Sequence, residues 1–230
     1  PERLALTIGT TGAMRTLVDG SPDTTVPAGL WLYRLNRRYG LLGGATTEGG
    51  NVFAWLSQTL KLPPEVETTL ANMPPASHGL TFLPFLAGER APGWQDDARA
   101  SLINFTLDTQ PIDILRAGLE GVAYRFAIIH RQMQPHLPPD HQIIASGSGL
   151  LNSPAWMQIM ADVLNRPLTA SAEPEATSRG VALMVLDALG LTEDKPVLLG
   201  TTYLPRRDYH AQYQAALETQ IDLYDRLIQS

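Results

Sequence analysis

At 230 residues, 44% apolar and 17% charged, the chain has the make-up of a folded protein long enough for one large domain or two small ones. No apolar run reaches the roughly 18 residues that span a bilayer, the first residues lack a charged-then-apolar signal pattern, and the absence of cysteine removes disulfides, zinc–thiolate sites and thiol catalysis together. A net charge of −6 speaks against nucleic acid as a partner. A cysteine-free chain suits a reducing cytosol, so the expectation is a cytoplasmic protein with no membrane partner.

The segment Leu4–Ile8 reads as a buried strand, joined through Gly9-Thr-Thr-Gly12 to a second at Met14–Val18. Further strands are expected at Leu30–Leu35 and Tyr39–Thr46. Val52, Trp55, Leu56 and Leu60 give helical spacing from Asn51, the expected N-cap, to Leu62. Pro63-Pro64 breaks that helix and starts a short second one, which Pro74-Pro75 stops. A strand at Leu80–Leu86, a loop over Ala87–Asp97 and a strand at Ser101–Leu107 follow. The long helix Pro111–Met133 carries Ile114, Leu115, Leu119, Val122, Phe126 and Ile129 on one face. Then come a strand at Gln142–Ala145, a helix from Ser153 to Leu164, and a strand at Pro167–Ala170. Last are a helix at Ala176–Leu189, with Gly190 as its stop, and an amphipathic helix at Arg207–Ile228. The alternation of strands and helices predicts an α/β fold with a mixed sheet in a single domain over residues 1–230.

Three small-residue turns follow strands, where backbone amides can approach an anion. Gly9-Thr-Thr-Gly12 reads either as a plain hairpin or as a phosphate-facing one with hydroxyls to donate. Glu48-Gly-Gly-Asn51 reads first as a structural helix start, though two glycines are more than capping requires and would also let a ligand lie on the backbone. Gly147-Ser-Gly149 is the third; the glycine a dinucleotide fingerprint needs is Asn152 instead, and a nucleophile elbow would need glycine at Ser146. Lys61 and Lys195 are the only lysines and no phosphate-loop motif occurs, so phosphate chemistry would rest on amides, arginine or a metal. The histidines (His78, His130, His136, His141, His210) are scattered without the spacing of a metal pair. Glu173, Glu175, Asp187 and Asp96-Asp97 read as solvated carboxylates, and Glu89-Arg90 either ion-pairs or faces a ligand.

These segments together resemble the FGGY carbohydrate kinases, and within them the gluconokinase-like and xylulokinase-like members. Leu4-Ala-Leu-Thr-Ile-Gly-Thr-Thr-Gly-Ala-Met-Arg15 is similar to the hairpin that opens their second domain, and Glu48-Gly-Gly-Asn-Val-Phe-Ala-Trp55 to their glycine–asparagine–tryptophan segment. Phe82-Leu-Pro-Phe-Leu-Ala-Gly-Glu-Arg-Ala-Pro-Gly-Trp94 is the most specific match. Ala145-Ser-Gly-Ser-Gly-Leu-Leu-Asn-Ser-Pro-Ala-Trp156 is similar to the adenosine segment, with Ser148 where a glycine is common.

The resemblance implies an actin/hexokinase-like (ribonuclease H-like) ATPase domain, the C-terminal and nucleotide-holding half of a sugar kinase. It implies ATP with Mg²⁺, and transfer of the γ-phosphate to a hydroxyl of gluconate or a related sugar. Thr10 and Thr11 would face the β/γ-phosphates, and Gly50 and Ala54 would line the adenosine pocket. Gly147 and Gly149 would lie along the nucleotide, and Ser153 would contact the base. Arg15, Glu89 and Arg90 are the sugar-facing candidates. The general-base Asp and most sugar contacts are expected upstream of Pro1, in an N-terminal domain that would be this chain's partner, so the chain alone would transfer no phosphate. A homodimer is left open. The alternatives are a non-catalytic actin-like nucleotide-binding or regulatory module, and an α/β domain that binds another ligand.

Overall fold

A computed structural model describes residues 2–21, 24–173, 175–191 and 196–229. Strands β1 (Arg3–Ile8) and β2 (Gly12–Asp19) form the expected hairpin, with Leu4, Leu6, Ile8 and Met14 buried and Arg3, Ala5 and Leu17 turned the other way. β3 (Trp31–Arg34) and β4 (Tyr39–Thr46) extend it, and α1 (Gly50–Thr59) and α2 (Val66–Asn72) follow. β5 (Thr81–Leu83) and β6 (Ser101–Ile103) pair with each other outside the main sheet. After α3 (Pro111–Met133) come β7 (Gln142–Ser146), α4 (Ser148–Leu151), α5 (Pro154–Leu164), β8 (Leu168–Ser171), α6 (Ala176–Ala188), β9 (Leu199–Tyr203) and α7 (Arg207–Leu227). The main sheet runs β3-β4-β2-β1-β7-β8-β9; β1, β7 and β8 are parallel and the remaining pairs antiparallel.

Several expected boundaries move for local reasons. The strand expected to Leu86 stops at Leu83, before Pro84, which has no N–H to give a ladder. Its partner stops at Ile103 because Asn104 turns left-handed (φ 71°). Asn51 is not an N-cap but the second residue of α1, and its Oδ1 accepts from Gly49 N–H and Val52 N–H at 2.8 and 2.9 Å. The helix expected from Ser153 starts there, with Ser153 as its cap, accepting from Trp156 N–H at 3.2 Å ahead of Pro154. α4 and β9 were not anticipated: a single helical turn carries no periodicity, and β9 is a polar edge strand whose Thr202 meets Thr169 hydroxyl to hydroxyl at 2.9 Å.

α3 departs most from expectation. Instead of one apolar stripe, it is buried all round from Leu115 to Ala127, charged residues included, between the sheet, α1, α5 and α7. Arg116 and Glu120 pair along the helix at 2.5 Å. Arg116 also donates to the Leu70 carbonyl and the Tyr213 hydroxyl, both at 2.7 Å, while Glu120 takes His78 and Tyr124 at 3.1 Å. Such burial is tolerated because each charge is paired and hydrogen-bonded. Near the helix end, His141 Nδ1–H donates to the Pro138 carbonyl (2.8 Å), which leaves its Nε2 to accept from His130 Nε2–H at 2.9 Å.

The sheet's two faces are unequally covered. Gly12 and Gly44 sit directly under Phe126 and Ile129 of α3, on the face that carries Leu4, Leu6, Met14 and Leu42. The opposite face is exposed at Arg3, Ala5, Leu17 and Gln142. There the register aligns Trp31, Gly43, Arg15, Ala5, Ile144 and Thr169 in one row. α6 has no buried residue and exposes Val181, Met184 and Val185, with Leu189 exposed just past its end.

Candidate functional site

The three turns singled out in the sequence meet at one end of the sheet. The β1–β2 tip is held by Gly9 N–H to the Thr11 carbonyl (3.0 Å). The start of α1 then takes the tip's carbonyls: Gly50 N–H donates to Gly9 O at 2.8 Å and Asn51 N–H to Thr10 O at 3.0 Å. From the other side, the β7–α4 turn closes in through Gly147, left-handed at φ 89°. A Cβ on Gly50 would lie 2.5 Å from Gly9 O and 3.2 Å from Gly149 Cα; one on Gly149 would lie 2.7 Å from Gly9 O. Thus Gly49 and Gly50 serve the structural role read first from the sequence and do not hold the backbone open for a ligand. Their space is filled by Gly9, Thr10, Thr11 and Gly149, and glycine is required because backbone packs on backbone.

The same contacts decide which donors remain. The first amides of α1 are consumed by the hairpin, so its N-terminus offers no anion site of its own. Thr10 and Thr11 are exposed, and Gly9 has open space beside it. The amides of Thr10, Thr11, Ser148 and Gly149 have no partner among the described residues. They lie on the two turns that Gly9 and Gly149 hold together. Next to them a pocket of about 380 Å³ opens over the ends of β1, β7 and β8, lined by Thr7, Gly147, Ser148, Asn152, Ser171 and Glu173, among others. Thr7 and Ser146 share a hydrogen bond at 2.9 Å beside it.

Of the expected nucleotide contacts, the structure brings Thr10, Thr11, Gly50, Gly147 and Gly149 together. Ala54 is exposed one turn further along α1. Ser153 is buried, and its oxygen already serves as the α5 cap.

The Leu83–Trp94 segment folds beneath the hairpin's flank, tied to β4 by Ala91 N–H to Ala45 O at 2.9 Å. Glu89 was expected either to ion-pair or to face a ligand, and the structure decides for the ion pair, removing it from the sugar-facing set. Its Oε1 accepts from Arg125 Nη2 and from Gly93 N–H (3.2 Å), and its Oε2 from the Tyr224 hydroxyl (2.5 Å). Arg125 also lies over the Phe85 and Tyr224 rings at 5.2 and 4.7 Å. Burial, reinforced by Glu89, pushes the Tyr224 hydroxyl up to about 12. Arg125, Tyr224 and the buried Glu48 were not found from the sequence, since the partners lie 36 and 135 residues from Glu89.

Arg90 and Arg15 behave differently. Arg90 is exposed and Arg15 half-buried on the open sheet face, and neither has a carboxylate partner among the described residues. Burial first, then the adjacent Arg90 charge, lowers the Arg15 pKa. The Arg90 charge thus acts on Arg15, so a bound anion would relieve Arg15.

Comparison with known proteins places the chain in a family. Residues 4–188 match the model of the C-terminal domain of the FGGY family of carbohydrate kinases. The chain belongs to this family. A gluconokinase of Bacillus subtilis (strain 168) is 29% identical over 245 aligned positions, covering 99% of this chain and 47% of the relative. An apulose kinase of Pectobacterium atrosepticum is 34% identical over 157 positions, covering 68% of this chain and 32% of the relative. The crystal structure of gluconate kinase from Lactobacillus acidophilus superposes with a TM-score of 0.86 at 29% identity, over 100% of this chain and 48% of that one. The fold is therefore the actin/hexokinase-like ATPase fold of the FGGY kinases. The chain spans about half the length of the curated gluconokinases it matches. Among the described residues, no helix is long and apolar enough to cross a membrane.

Proposed function

We propose that this FGGY domain is the ATP-binding half of a cytoplasmic carbohydrate kinase, which transfers the γ-phosphate to a hydroxyl of a sugar acid of the gluconate kind. The observation that carries this reading is the convergence of the β1–β2 tip and the β7–α4 turn, with the Thr10, Thr11, Ser148 and Gly149 amides left unpaired. Fixed amide dipoles aimed at phosphate oxygens need no reorganisation as charge moves during transfer. Thr10 and Thr11 hold the terminal phosphates, and the pocket beside Gly147 takes the nucleoside. Among the described residues, no group of three or more His, Asp or Glu side chains is placed to hold a metal. Mg²⁺ would be held chiefly by the nucleotide's own phosphates, and no step here runs through it.

The Arg15–Arg90 pair supports the sugar-acid preference, because a carboxylate is what a neutral polyol lacks. The gluconokinase and gluconate kinase relatives act, by their names, on the same class. The proton from the accepting hydroxyl goes to a base outside these residues, in the half of an intact relative that this chain does not span. That half packs on the open sheet face and on the exposed side of α6, where Leu17, Val181, Met184 and Val185 are presented; a second copy of this chain is the alternative occupant.

Calorimetry on the 230-residue protein should show binding of ADP with Mg²⁺ that Thr10→Ala weakens. Full-length protein should phosphorylate gluconate in preference to xylulose or glycerol. ADP binding without transfer to any sugar would instead favour a non-catalytic nucleotide-binding module. Absence of ADP binding, with Thr10→Ala indistinguishable from the parent, would overturn the nucleotide reading.

A further inference from the structure

Glu48 joins β4 to the glycine pair, and only 2% of it is exposed. Its carboxyl sits beside its own amide and that of Ala87 in the Leu83–Trp94 segment, yet Oε1 has no hydrogen-bond partner. The charged groups that face it are Glu89 from that segment and Arg125 from α3, with the Tyr224 hydroxyl of α7 behind Glu89. Two buried carboxyl groups therefore compete for one guanidinium, and Glu89 holds it, together with Gly93 N–H and Tyr224. Arg125 Nε is also left without a partner. A buried carboxylate with an unfilled oxygen and a carboxylate neighbour is strongly disfavoured, whereas a protonated one is tolerated.

The residues that follow Glu48 hold the hairpin, since Gly50 N–H and Asn51 N–H take the Gly9 and Thr10 carbonyls. We infer that Glu48 is a positioning residue which, as a neutral carboxyl carrying a proton, keeps the Gly49–Asn51 turn docked against the Gly9–Thr11 tip. Ionisation places an uncompensated charge under that turn, and relief comes from opening the turn toward water. The consequence for nucleotide affinity rests on the proposed function above; the consequence for the turn does not. Burial, reinforced by Glu89, raises the Glu48 pKa to about 7, so the change falls within the ordinary working range of pH.

The test compares the parent protein with Glu48→Gln, which keeps the shape and cannot ionise. Amide exchange protection at Gly50 and Asn51 should fall between pH 6 and pH 8 in the parent and stay constant in Glu48→Gln. ADP affinity of the parent, relative to the variant, should fall about tenfold over the same two pH units if only the protonated form binds. Identical pH dependence of protection in the two proteins overturns the inference. A protection change confined to the parent, with no ADP binding at either pH, supports the positioning role and refutes the nucleotide reading. Should Glu48→Gln fail to fold, carboxyl ¹³C titration of the parent decides: a Glu48 midpoint near neutrality supports the assignment, and one below pH 5 overturns it.

Discussion

Gly50→Ala tests the backbone contact on which the site is built. The added methyl would sit 2.5 Å from the Gly9 carbonyl oxygen and 3.2 Å from Gly149 Cα. Ordinary contact needs about 3.4 Å, so the tip or the β7–α4 turn must retreat by most of an ångström. That stretches the 2.8 Å bond from Gly50 N–H to Gly9 O, worth about 1 kcal/mol. Overpacking a tight contact costs about 1–3 kcal/mol. Alanine recovers less than about 1 kcal/mol of helix propensity, because residue 50 opens α1 rather than lying inside it. The net expectation is a loss of about 1–3 kcal/mol, read by urea unfolding with an unchanged m-value. Because the displaced groups carry the Thr10, Thr11 and Gly149 amides, ADP affinity should fall further than stability alone would imply. A variant as stable as the parent that binds ADP equally well would refute the reasoning.

Other changes probe the surroundings. Arg125→Met leaves Glu89 buried beside Glu48 with no cation; it should cost about 3–5 kcal/mol in urea unfolding, and a loss under about 1 kcal/mol would contradict the pairing. Arg15→Ala should leave stability unchanged or slightly raised, since it relieves repulsion from Arg90, while raising the full-length enzyme's KM for gluconate far more than its KM for ATP. Burial, with His141 and Arg166 nearby, depresses the His130 pKa to about 4 from an ordinary 6.5. The unfolded chain therefore takes the proton first: the contribution is fully present above pH 6.5 and lost as pH falls toward 4. His130→Gln should narrow the stability gap between pH 7 and pH 5 by about 2 kcal/mol, measured as urea midpoints. Glu48 works with opposite sign, its contribution complete below about pH 4.5 and lost as pH rises to about 7. The two slopes oppose each other in the parent, and Glu48→Gln should steepen the rise in stability between those limits.

How much of this was legible depended on how far each signal reached. Leu4, Leu6 and Ile8 alternate within one strand, Ser153 and Pro154 start one helix, and Pro111 starts another. Each is settled by neighbours within a few residues, so the elements were read close to their true bounds. The family motifs were legible for the same reason, as contiguous runs. Glu89 was ambiguous because its partners, Arg125 and Tyr224, come from α3 and α7. The burial of the charged residues of α3 was not legible because periodicity reports one apolar face and cannot register a second layer packing on the other.

By itself, the amino-acid sequence determined the α/β order, the hairpin, the starts of the α3 and α5 helices and the kinship with sugar kinases, all carried by local patterns. Only the tertiary structure decided what the glycines are for. Gly50 and Gly149 lie far apart in the chain and both pack on the Gly9 carbonyl, a contact that a Cβ on either would block. It likewise decided that Glu48 is the carboxyl left without a cation, because the competition for Arg125 exists only once β4, α3 and the Leu83–Trp94 segment are packed together.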